Sequence, residues 1–449
     1  MSATSTAAAL DGSVPARGRL LRVLGVGFGV AVGFGSIIGA GILRAPGDVA
    51  ARLPVPWLFF TVWIVGGLYA LLGANSVSEL GTMLPVSGGQ YVYARHAFGP
   101  YAGFLVGWAD WVSTCGSVAA VAIVVAESLG ALFAPLAPHI AALSAAVVMG
   151  FTALLWRGAQ ASDRAQRITS LIKGIGFLGL VVACFVLGGK VRATTSPPVH
   201  APAGLALVAA FVVALQGVIF AYDGWTGVIY FSEEIRDPGR QIPRSMFGGL
   251  LAVIGIYLLV NAAFAYVLPL PVMGTSNLVA ASAANVVFGA SGATLVRVLV
   301  VIALPSSITA NLLMGSRVVF AMGRDGLATR AATRVDAAGT PTTALLLTSA
   351  CALLFALTGT FETVIALLTF FFVASYGISF ASVFILRRRE PHAPRPYRAW
   401  GYPWTTALVL AGSVTFLIAA VFSDTRNSIY ALLLLVASYP VFLAMRRAL

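Results

Sequence analysis

Charge is scarce in this chain. Asp, Glu, Lys and Arg supply 10% of its 449 residues, against about 25% in an average soluble domain, while 59% are hydrophobic and the mean hydropathy is +0.93. A soluble globular fold is excluded. Cysteine is nearly absent: Cys115, Cys184 and Cys351 all fall in apolar segments, so no disulfide framework is expected and they read as small packing residues. The four histidines, His96, His139, His200 and His392, share no metal-ligand spacing, and no His-Glu-x-x-His pattern occurs. A phosphate-binding loop and a nucleophile elbow are also missing, which argues against a primary pump and a membrane hydrolase. No enzyme activity, metal or cofactor is expected. Residues 1–19 lack the basic, apolar and cleavage regions of a signal peptide and read as a disordered cytoplasmic tail. No long polar linker follows, so 20–449 reads as a single transmembrane domain.

Apolar segments of about 20 residues recur near 20–43, 56–82, 98–130, 138–156, 168–189, 204–232, 245–268, 293–322, 342–358, 361–386, 404–422 and 427–445. The expected fold is an all-α polytopic membrane protein with about twelve transmembrane helices. The net charge of +13 has a definite placement. Most arginines, from Arg17, Arg19 and Arg22 to Arg446 and Arg447, fall at the termini or in alternate loops, and only Arg44, Arg52, Lys190, Arg192 and Arg426 fall on the other side. By the positive-inside rule both termini are cytoplasmic. The basic excess is then an orientation signal and an attraction to anionic membrane lipid, with no nucleic acid expected.

Two of the apolar segments are interrupted. Gly33, Gly35, Gly39 and Gly41 crowd the first, and Tyr222-Asp223-Gly224-Trp225-Thr226-Gly227 breaks the sixth. Each mid-helix glycine costs about 1 kcal/mol relative to alanine. Paired breaks in corresponding helices of two halves point to a transporter's binding site. The halves would be 20–190 and 203–388, with 402–446 as two appended helices; five helices per half force the second copy to run inverted.

The first break with its continuation Gly41-Ile42-Leu43-Arg44-Ala45-Pro46-Gly47, the loop Pro85-Val86-Ser87-Gly88-Gly89-Gln90, and Phe98-Gly99-Pro100 together resemble the amino acid–polyamine–organocation superfamily. So do Phe220 to Ser245 and the run from Gly315 to Gly326, in the right order over about residues 20 to 345. Bacterial relatives of the L-type amino acid transporters are similar in this respect. That resemblance implies a LeuT-like fold, a five-plus-five inverted repeat with broken first and sixth helices.

It also implies a site. Unwound backbone at membrane depth is tolerated where it lines a cavity, and half-helix N–H groups suit a carboxylate; packing through small residues is the alternative. By resemblance, Gly39, Ala40 and Gly41 bind the substrate carboxylate through backbone N–H groups, and the Ile37 carbonyl takes the amino group. Ala40 stands where many members have Ser. Phe220 matches the aromatic gate, with Tyr222 and Trp225 shaping the pocket. Asp223, where many members have Gly, has three readings: a cap on the second half-helix, a proton carrier, or a partner for the substrate ammonium. Lys173 by spacing could snorkel; by resemblance it is the structural cation that replaces sodium beside the first helix, or a proton-linked group. Glu79, Glu127, Asp110 and Arg297 read as loop edges or buried pairs, and Glu233, Glu234, Arg236 and Asp237 as a loop network.

The function expected is secondary active transport of amino acids across the cytoplasmic membrane by alternating access, sodium-independent, as proton symport or amino-acid exchange. A polyamine or cationic amino acid is the alternative substrate, and a non-transporting receptor or a channel the alternative class. Eukaryotic L-type members join a glycoprotein through an outer-loop cysteine; the corresponding 131–138 has none, so no covalent heavy-chain subunit is expected.

Overall fold

The computed structural model describes residues 37, 39–156, 159–188, 202–336, 339–358 and 361–448, without the side chains of 159–170, 362 and 446–448. The expected tail, Gly33, Gly35, Arg17, Arg19, Arg22, Lys190, Arg192 and His200 lie outside these residues. Among them no strand forms, and nine helices are long and apolar enough to cross a membrane. Three shorter apolar stretches, Leu171–Leu187, Val279–Phe288 and Thr342–Thr358, add to these. The chain is a multi-pass α-helical membrane protein.

The helices are α1 (Ala40–Arg52), α2 (Pro56–Met83), α3 (Gln90–Phe98), α4 (Pro100–Leu132), α5 (Ile140–Trp156), α6 (Ala159–Leu187) and α7 (Leu205–Tyr222). A 3-10 helix over Gly227–Glu234 continues from α7, and then come α8 (Pro238–Val267), α9 (Val279–Phe288), α10 (Ala290–Ala303), α11 (Pro305–Arg324), α12 (Thr342–Thr358), α13 (Phe361–Arg389), α14 (Trp404–Ser423) and α15 (Thr425–Ala448). Proline starts α2, α4, α8 and α11, where its missing N–H costs nothing. Gly99, at φ 98°, makes the turn between α3 and α4 that residues with a Cβ resist.

Two boundaries differ from expectation. The first span was placed at 20–43, but α1 runs on to Arg52, so Arg44 rides on a helix rather than in a loop. The span expected at 293–322 is two helices, joined at Leu304 where Pro305 restarts the chain.

The core sits on α4 and α13, the most deeply buried of the long helices. Helix α4 packs against α3, α5, α11, α12 and α13, while α1 lies along α7. Helices α14 and α15 are peripheral, turning Leu408, Ile418, Phe422, Leu433 and Val436 outward as lipid-facing surface.

At the arginine-rich end the loop after α13 folds back on α2. Glu79, 1% exposed, accepts hydrogen bonds from Arg387 Nε (2.8 Å) and Nη2 (2.6 Å) and from the Ala399 N–H (2.7 Å). Arg395 Nε adds a charge contact at 3.2 Å without hydrogen-bond alignment. One turn away Asn75 accepts from the Tyr397 hydroxyl (2.7 Å) and the Trp400 N–H (3.0 Å). Burial, aided by the nearby Glu79 charge, pushes Tyr397 up to about 12, which keeps it a donor at neutral pH.

Candidate functional site

The N-terminus of α1 and the C-terminus of α7 meet in mid-protein because both chains stop being helical there. Gly39, the N-cap of α1, offers no capping side chain, so the N–H groups of the first turn face the space ahead of the helix. On the other side α7 ends at Tyr222, Asp223 turns out of helix at ψ 153°, and Gly224 at φ 99° allows the reversal into the 3-10 segment.

Between them lies a narrow cavity of about 20 Å³, lined by Ile37, Gly39, Ala40, Gly41, Phe220 and Asp223 together with Ser117 and Val121 of α4 and Asn311 of α11. The structure therefore brings six of the residues singled out by sequence to one cavity. Asn311 spends its Nδ2 on the Ser307 carbonyl (2.9 Å), which leaves its amide oxygen for an incoming donor.

Three placements depart from expectation. The Ile37 carbonyl already accepts the Gly39 N–H (2.8 Å) and the Tyr257 hydroxyl (2.7 Å), so neither group is unengaged as the resemblance implied. The same Tyr257 hydroxyl donates to the Ala221 carbonyl (2.9 Å), so a residue of α8 ties both breaks together. Trp225 does not line the cavity; its ring packs on Tyr376 at 4.9 Å between centroids. Asp223 does not cap the segment after the break, whose N-cap is Thr226; its carboxylate instead accepts the Tyr376 hydroxyl.

Gly41 is needed for packing as much as for a ligand. A Cβ there would meet the Ala221 Cα at 2.5 Å, so α1 and α7 touch backbone to backbone at the cavity wall.

The cavity is closed at both ends. Phe220 meets Phe361 edge to face at 6.2 Å, Arg44 stacks on Phe361 at 4.3 Å, and Arg44 pairs with Glu127. A wider cavity beyond this roof is lined by Arg44, Glu127, Asn285 and Arg297 among others. At the arginine-rich end Glu234 pairs with Arg317 (3.4 Å), Glu233 with Arg324 (2.9 Å), and Arg95 with Asp325 (2.7 Å). Of the expected loop network, Glu233 and Glu234 take part; the side chains of Arg236 and Asp237 form no ion pair among the described residues.

Backbone donors, an amide oxygen and a carboxylate converge between two broken helices, with an aromatic and ionic roof on one side and an ionic floor on the other; that chemistry suits the two charged ends of a zwitterion, and the space of about 20 Å³ has to widen to admit one. The amino acid permease model matches residues 28–439. This chain belongs to the amino acid permease family. The permease is 28% identical to the serine/threonine exchanger SteT of Bacillus subtilis, over 95% of this chain and 98% of that protein. It is 29% identical to the human large neutral amino acids transporter small subunit 2, over 80% of this chain and 68% of that one, and 24% identical to the human b(0,+)-type amino acid transporter 1, over 84% and 79%.

In the permease Lys173 does not snorkel. It is buried, and its ammonium donates to Ser307 Oγ at 3.0 Å, one helical turn from Asn311 in the cavity wall. Leu43 of α1 lines the same apolar recess, so the cation stands beside the first break. Ser117, Asn311, Tyr257 and Phe361 were not foreseen. No local motif marks them, since each is one polar or aromatic residue on an otherwise apolar helix face. Among the described residues no cluster of His, Cys, Asp or Glu could hold a metal ion.

Proposed function

We propose that this permease carries neutral amino acids across the cytoplasmic membrane by alternating access, without sodium, with both termini on the cytoplasmic side and without a covalent partner subunit. The observation that carries this reading is the cavity between the two breaks, closed at both ends, where backbone donors of α1 face Asn311 and Asp223. The carboxylate of a substrate would take the N–H groups of Ala40 and Gly41, and its ammonium would take the Asn311 amide oxygen and the Asp223 carboxylate. The apolar wall of Val121 and Phe220 favours a small neutral side chain. Relatives named for serine, threonine and large neutral amino acids support the same class.

Lys173 supports sodium independence: an ammonium beside the broken helix repels a sodium ion and replaces it electrostatically. Coupling to protons through Asp223, or exchange of one amino acid for another, would drive net movement, and membrane lipid would surround the apolar outer helices. A cationic amino acid is the second reading, favoured by the Asp223 carboxylate in the cavity wall. The test is exchange of labelled amino acids by purified protein in proteoliposomes. Exchange of small neutral amino acids that persists in sodium-free buffer is expected. Absence of exchange for every amino acid tried would overturn the transport reading, and a requirement for sodium would overturn the role of Lys173.

A further inference from the structure

Asp110 lies eleven residues into α4, about 16 Å along a helix that spans the protein, and is 4% exposed. Among the described residues no cation pairs with it. Its side-chain partner is the Tyr230 hydroxyl, which sits 2.7 Å from Oδ1 and 2.8 Å from Oδ2. One hydroxyl has one proton to give, so a carboxylate with room for four donors has a single one. An ionisable residue at such depth is costly, and where it persists it serves proton relays and ion pathways.

Apart from Tyr93 of α3, whose buried hydroxyl has no partner among the described residues and lies against Gly81 of α2, the charged and titratable neighbours are otherwise committed. Helix α5 carries none. Arg95 of α3 pairs with Asp325, Arg317 and Arg324 of α11 with Glu234 and Glu233, and Arg387 of α13 with Glu79. Tyr91 of α3 donates to Asp325, Tyr376 of α13 to Asp223, and Cys351 of α12 lies beside Cys115. Tyr439 of α15 packs on Tyr101. Arg297 of α10 opens on the far cavity with Glu127, about 25 Å along α4. Among the described residues Asp223 is a charge close enough to act on Asp110 and on both Tyr230 and Tyr376.

Tyr230 belongs to the 3-10 segment that follows the break, and so to the element that must move for the cavity to open toward the arginine-rich end. We propose that Asp110 is a second proton-binding site of this permease, loaded while Tyr230 covers it and emptied when the 3-10 segment swings away. The carboxyl O–H bond then breaks to water entering from the arginine-rich end, which carries the proton off; once Tyr230 has returned, the carboxylate takes its next proton from water admitted with substrate from the opposite face, so one proton crosses per cycle. Asp223 at the cavity and Asp110 below it would place two acids on either side of one moving segment. The proposal rests on the transport reading, and it deepens the coupling left open there.

Infrared difference spectra of the purified protein across a pH titration read protonated carboxyl groups directly. Asp110→Asn is expected to remove one such band; an unchanged spectrum overturns the proposal. In proteoliposomes with an internal pH dye, the ratio of proton entry to substrate entry should fall about tenfold in Asp110→Asn. A ratio equal to that of the unmodified protein overturns it, as does an unmodified protein that exchanges substrate with no proton entry at all. Failure of exchange in the unmodified protein would instead overturn the transport reading, with the infrared band still reporting on Asp110. Tyr230→Phe keeps the ring and removes the lone donor to the carboxylate, so the pH profile of uptake should move by about one unit toward alkaline pH. An unmoved profile in that variant means that Asp110 takes no part in coupling.

Discussion

Glu79 and Asp110 are both buried carboxylates, yet their surroundings have nothing else in common. Glu79 accepts two aligned bonds from Arg387 and one from a backbone N–H, with Arg395 close by; Asp110 has one tyrosine hydroxyl, and Asp223 has a tyrosine hydroxyl and the Gly224 backbone N–H. A carboxylate held by cations and an N–H acts as a structural tie. One held by neutral donors alone can gain or lose a proton without dismantling its site. The Glu79 clamp is thus built to stay as it is, and the two aspartates to change their protonation.

Removing Glu79 is the strongest way to test that contrast. Glu79→Ala leaves two arginines facing no anion, and loss of one partner of a buried pair costs about 3–5 kcal/mol. A large drop in the thermal midpoint of the purified protein is expected, and a stability equal to that of Asp110→Asn would erase the distinction. Next in size is Gly41→Val, which forces α1 and α7 apart at the cavity wall; a displacement of about an ångström there can cost about a hundredfold in exchange rate. The variant should still reach the membrane, because the clamp at the far end is untouched, and near-normal exchange would show that the close approach is dispensable.

A smaller effect is expected from the ligand side. Amino-acid methyl esters and N-acetyl derivatives should compete about tenfold less well than the free amino acid, since a buried donor left unpaired costs about 1–3 kcal/mol. Equal competition would remove the α1 backbone from the site. Smallest is Asp223→Asn, which keeps an acceptor for Tyr376 and removes the charge. Uptake should lose its dependence on external pH, while homoexchange at saturating substrate, where the lost ammonium contact shows only as a raised KM, falls by no more than about threefold. An unchanged pH profile would move Asp223 to the static side of the comparison.

How much of this was written in the sequence depends on distance along the chain. Helices such as α2 and α14 begin and end within a residue or two of their hydropathy limits, because burial in lipid is a property of a contiguous run. The breaks were legible for a similar reason: Gly39, Gly41 and Gly224 are local backbone signals. Tyr257 was not, since a tyrosine on an apolar helix face reads as core, and its partners Ile37 and Ala221 are 220 and 36 residues away. Trp225 was misplaced because its side of the break is set by Tyr376, 151 positions on, with which it stacks. Asp110 was passed over as one half of a buried pair, and its partner proved to be an alcohol rather than a cation.

The Tyr257 hydroxyl, shared between the carbonyls of Ile37 and Ala221, also has a mechanical meaning. It is a fulcrum: both broken helices are pinned at nearly one point, and each can tilt about it with its own bond only bending. The segment beyond, kinked at Phe231, is a lever arm of about 12 Å, so a tilt of about 20° sweeps its far end through about 4 Å. That travel is larger than the Arg317 to Glu234 separation of 3.4 Å, so the ionic floor parts well before the pivot has to. A gate at the membrane face can therefore open fully while the centre of the protein scarcely moves.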